Sequence, residues 1–112
     1  MTRQAPLGEF EHLLLLAVLQ LGSEAVATRV SEELDLKAGR RVSRGALYSS
    51  LDRLELKGFL TWTLEPATAE RGGHPARRFQ VTESGLAAVR EQHAALRRLT
   101  AGLEDVLEGG RG

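Results

Sequence analysis

The segment Leu13–Leu19 reads LLLLAVL, and it limits the fold more than any other stretch of the chain. A helix from Glu9 to Leu21, stopped at Gly22, would carry apolar side chains around nearly its whole circumference. Such a helix sits at the centre of its domain or is shared with a second chain. Seven apolar residues are far too few to span a membrane. They are not a secretory leader either, because Glu9 and Glu11 precede them with only Arg3 as a base. A cytoplasmic protein is expected. The chain has no cysteine, which removes disulfides, thiolate metal sites and cysteine nucleophiles and suits a reducing compartment. Its 112 residues match one domain.

The rest of the sequence arranges itself around that helix. A second helix is predicted over Ala25–Lys37, with Val26, Val30 and Leu34 on one face, Ser23 as N-cap and Gly39 as stop. Arg41-Val42 is expected to form a very short strand. A third helix, RGALYSSLDRLELK, follows Ser43 as N-cap and ends at Gly58. At 100° per residue, Leu47, Leu51 and Leu54 form its buried stripe. The opposite arc carries Gly45, Ser49, Asp52 and Arg53, with Arg44 and Tyr48 on one shoulder.

Two alternating stretches then read as a hairpin. In FLTWTLE, Leu60, Trp62 and Leu64 face inward; in RRFQVT, Phe79 and Val81 do, with Arg78 and Gln80 outward. Thr82 is placed to cap a last helix running from Glu83 to about Leu107, and EGGRG forms a frayed tail. Leu86, Val89, His93, Leu96, Thr100, Leu103 and Leu107 recur at spacings of three and four, an a/d seam with polar members at His93 and Thr100. About 25 residues of helix would span ~37 Å, more than one small domain covers, so a second copy of the chain is the expected partner.

Charge is unevenly distributed although the total is zero. Residues 1–36 hold Arg3 and Arg29 against six acids, a net −4; residues 37–78 hold nine bases against four acids, a net +5. A basic middle between acidic ends is the footprint of a surface that meets a polyanion. The order helix, helix, helix, hairpin, helix supplies the frame. Helices 2 and 3 make a helix-turn-helix, and the hairpin tip ERGGHPARR is a basic wing. Gly72 and Gly73 let the tip bend, while Arg71, Arg77 and Arg78 offer guanidinium groups to phosphates or a narrow minor groove.

LGEFEHLLLLAVLQLG, VSRGALYSSLDRLELKGFL and ERGGHPARRFQVTESG together resemble the PadR family of bacterial transcriptional regulators, in its short form with a single C-terminal helix. The likeness runs from Leu7 to the final helix. It rests most on Gly45-Ala46-Leu47-Tyr48 with Leu51, Arg53, Leu54 and Gly58, followed by the Gly-Gly wing and Thr82-x-x-Gly85. The resemblance implies a winged-helix homodimer that represses transcription and is often relieved by a small molecule near the dimer interface. One departure is plain: the aromatic–glycine pair common at the start of helix 2 is replaced by EAVATRV.

The expected fold is α+β and mainly α: a winged helix-turn-helix over residues 1–82 with a two- to three-stranded wing, then a dimerisation helix and frayed tail over 83–112. The expected DNA-binding residues are Ser43, Arg44, Tyr48, Ser49 and Arg53 on helix 3 and Arg71, Gly72, Gly73, His74, Arg77 and Arg78 in the wing. Leu13, Leu16, Leu86, Val89, His93, Leu96, Thr100, Leu103 and Leu107 are the expected dimer interface. The expected partners are double-stranded DNA, carrying a pseudo-palindromic operator, and a second copy of the chain. Between the protomers, a cleft lined by Leu13, Leu16 and Leu96 would take a small, planar hydrophobic inducer. No nucleophile–base motif, phosphate loop or close metal-ligand spacing among His12, His74 and His93 occurs, so no enzyme, metal or cofactor is expected. The same exposed arc would also suit the rival reading, a winged helix that binds protein without reading DNA sequence.

Overall fold

A computed structural model describes residues 7–66 and 72–109. Its elements are α1 (Glu9–Leu21), α2 (Ala27–Ala38), α3 (Arg44–Leu56), β1 (Leu60–Glu65), β2 (Ala76–Val81), α4 (Glu83–Thr100) and the short α5 (Glu104–Leu107). α1 is the central helix: Leu14 and Leu15 are fully buried, and α2, α4 and the sheet all pack on it. Val30, Leu34, Leu47, Leu51, Leu54, Phe59 and Phe79 complete the core. β1 and β2 pair antiparallel from Leu60↔Val81 to Glu65↔Ala76, so that Trp62 sits opposite Phe79. Ser43 and Thr82 cap their helices as expected, their hydroxyls accepting from Ala46 N at 3.1 Å and Gly85 N at 3.0 Å. No helix among the described residues is long and apolar enough to cross a membrane.

Four expectations are corrected. Ser23 does not cap α2; it lies in a 3-10 turn, Gly22–Glu24, and α2 starts at Ala27 behind Val26. The sheet explains the delay, because Ala25 O accepts from Phe79 N at 2.9 Å and Val26 bridges Arg78. Arg41-Val42 forms no strand; Val42 instead packs against the core from an irregular connection. The last helix stops at Thr100, not Leu107. Gly102 takes φ +84° and unwinds the chain, so Leu103 and Leu107 lie beyond the helix that carries Leu96. Finally, Leu64 is 63% exposed, because the hairpin projects past the last core layer before reaching it.

Candidate nucleic-acid interface

α3 presents the arc that its sequence periodicity defined. Leu47, Leu51 and Leu54 are buried, while Arg44, Gly45, Ser49, Asp52 and Arg53 are exposed. Tyr48 is half-buried, and the Arg44 guanidinium lies over its ring at 5.6 Å. Among the described residues, no carboxylate pairs with Arg44.

The wing meets α3 at its N-terminal half. Arg44 and Tyr48 from α3, with Leu64, Pro75, Ala76 and Arg77 from the hairpin, line one open crevice of about 440 Å³. Arg77 stretches across Trp62, its guanidinium 4.5 Å from the ring centroid, and reaches 3.7 Å from Asp52 Oδ1. Trp62 packs against the core but remains half-exposed, with Nε1 donating to Glu55 Oε1 at 3.1 Å. Successive strand residues face opposite ways, so Arg78 leaves the crevice. Its Nε donates to Glu65 Oε2 at 2.8 Å. Gly72 and Gly73 take φ of +66° and +80°, the left-handed backbone that a side chain would resist, and His74 is exposed beside them. Arg71 lies outside the described residues.

The basic middle of the sequence is thus largely paired within the chain. Arg40 meets Glu9 at 2.8 Å, Lys37 meets Glu33 at 2.9 Å, and Arg53 with Lys57 converge on Glu11. Of these, the Arg40–Glu9 pair is exposed and worth little, and phosphate oxygens can replace its carboxylate. Chemically, the crevice offers two guanidinium groups and a phenol to an anion-rich partner.

Sequence reasoning assigned Glu11 no role here. Its signal was present: Glu11 precedes Leu14, Leu15 and Val18 by three, four and seven positions, an acid on the buried stripe. Burial alone would raise its pKa, but hydrogen bonds from Lys57, the Gly8 amide and Arg53 outweigh that and hold it below the usual carboxylate value.

The dimerisation residues divide. Val89 is buried in its own chain's core, and Leu13 and Leu86 are half-buried. Beyond Val89 no residue of α4 is buried; His93 is exposed, Thr100 is half-buried, and Leu96 is 49% exposed. Leu16 instead borders a groove of about 540 Å³ between α1 and α2, together with Leu13, Leu19 and Leu34; Leu96 is not part of its lining.

No protein-family model matches the chain, and no curated protein matches it. Solved structures do. A PadR-like transcription factor from Bacteroides fragilis superposes with a TM-score of 0.66 at 24% identity, over 87% of this chain and 88% of the other. A PadR-family transcriptional regulator from Eggerthella lenta gives 0.63 at 26% identity, over 89% and 87%. The fold is the PadR-like winged helix. Within that fold, α2 and α3 form the helix-turn-helix and the β1–β2 hairpin is the wing.

Proposed function

We propose that this chain is a DNA-binding transcriptional regulator, a PadR-type repressor that acts as a homodimer on a pseudo-palindromic operator. The convergence of Arg44 and Tyr48 with Arg77 around one crevice carries this reading. A recognition helix and wing that share a concave edge can straddle a duplex backbone, the helix in the major groove and the wing on adjacent phosphates. In this assignment Ser43, Arg44, Tyr48, Ser49 and Arg53 serve from α3, and Gly72, Gly73, His74, Arg77 and Arg78 serve from the wing. The bare distal half of α4, with Leu96 and Leu99 exposed, supports a second copy as partner. The apolar α1–α2 groove suits a small planar inducer.

One observation favours the rival, a protein-binding module: Leu56 and Leu64 are 89% and 63% exposed close to the same arc. Titrating the purified protein with duplex from its own upstream region, at several salt concentrations, separates the two. A steep salt dependence and a footprint of two half-sites ~34–36 Å apart are expected. Weak binding without salt dependence favours the module.

A further inference from the structure

Glu11 belongs to α1, yet its carboxylate is spent on the recognition helix. Only 7% of its side chain is exposed. Oε1 accepts from Lys57 Nζ at 2.8 Å and from Gly8 N at 2.9 Å; Oε2 accepts from Lys57 Nζ at 3.0 Å and from Arg53 Nε at 3.2 Å. Arg53 Nη2 donates in turn to the hydroxyl of buried Ser50 at 3.2 Å. The guanidinium is therefore held along one edge by Glu11 and Ser50, while its side chain stays 53% exposed.

We propose that Glu11 is a positioning residue for the DNA-reading surface: it sets the Arg53 fork on the open face of α3 before a phosphate arrives. The proposal rests on the DNA-binding reading above. A pre-oriented planar fork loses less freedom on binding than a loose one, and its remaining N–H groups keep a fixed direction. Lys57 ties the end of α3 to the first turn of α1 through the same carboxylate. Arg40, on Glu9 and over the Phe10 ring at 5.8 Å, anchors the α2–α3 connection to that turn as well.

The sign of one substitution distinguishes positioning from charge. A carboxylate beneath a DNA-facing surface repels phosphates, so Glu11→Gln would tighten binding if charge were its whole contribution. Positioning requires the opposite. Operator affinity and its salt slope would be measured for wild type, Glu11→Gln, Arg53→Ala and the double variant, where circular dichroism shows each folded. Glu11→Gln and Arg53→Ala are each expected to weaken binding about tenfold and flatten the slope, as loss of a charged hydrogen bond does. The double variant should be little worse than either single one. Wild-type or tighter affinity for Glu11→Gln, or effects that multiply in the double variant, overturns the proposal alone. A wild-type chain without salt-dependent duplex binding overturns the DNA-binding reading and this proposal together. If Glu11→Gln does not fold, Arg53→Lys carries the test, since it keeps the charge and loses the fork. Wild-type affinity there overturns the proposal.

Discussion

Gly85 packs its Cα directly against the backbone carbonyl of Phe59, where a Cβ would overlap the Phe59 oxygen. Thr82 closes the same joint: its N donates to Phe59 O at 3.1 Å and its hydroxyl to Gly58 O at 2.7 Å. Gly85→Ala should therefore destabilise the fold by about 1–3 kcal/mol, because backbone at the contact yields little. Urea unfolding measures it. An unchanged midpoint would mean that α4 shifts freely on the sheet.

Gly45 provides the opposite case. It is exposed on α3 with nothing within 4 Å of an added Cβ. Gly45→Ala should raise stability by up to about 1 kcal/mol through helix propensity. The same methyl would obstruct close approach to a duplex, so operator affinity should fall while the melting temperature rises. Affinity that rises with stability would place Gly45 outside the interface.

Acid should weaken the fold in two stages. His12 is buried, its Nε2 has no hydrogen-bond partner among the described residues, and burial first, then the His93 charge, lowers its pKa below 6.5. The unfolded chain then binds the proton more readily, so stability present above pH 6.5 is lost as pH falls through the folded value. Glu11 acts in the same direction further down: stability present above its ordinary 4.5 is lost as pH falls through its depressed folded value. Unfolding free energies from pH 8 down to about 2 check both, and His12→Gln should flatten only the upper stage.

If a duplex occupies the crevice that Arg77 shares with Arg44 and Tyr48, Arg77 meets a phosphate there. Removing one such contact lowers the salt slope by about 0.9, and a dimer loses it twice, so Arg77→Ala should flatten the slope by ~1.8. Specific and non-specific affinity should fall together. Trp62 emission should also change, since the guanidinium leaves its ring. An unaltered slope would show that Arg77 stays on Asp52 in the complex.

Leu96 and Leu103 are 49% and 43% exposed in the single chain. Leu96→Glu with Leu103→Glu should therefore leave the fold intact while placing charge in a dimer interface, which is strongly unfavourable. Sedimentation should show two chains for wild type and one for the variant. A wild-type monomer at micromolar concentration that still binds its operator would sink the dimer.

Local pattern carried most of the architecture into the sequence. The Leu47–Leu51–Leu54 stripe, the caps at Ser43 and Thr82 and the Gly-Gly turn depend on residues a few positions apart, so spacing alone locates α3, the start of α4 and the wing. Contacts between distant residues were beyond that pattern. The start of α2 was set by Phe79, which claims the Ala25 carbonyl from more than fifty positions away. Where the arginines go was decided the same way: Arg53 on Glu11, Arg77 between Trp62 and Asp52, Arg78 on Glu65. Sequence determines which charges a segment owns, but only packing brings an acid from another element within hydrogen-bond reach of them. The end of α4 lay between these cases, for Gly102 was visible as a breaker while the apolar repeat ran on through it. Without a packed partner for Leu103 in the same chain, the glycine's conformational freedom prevailed.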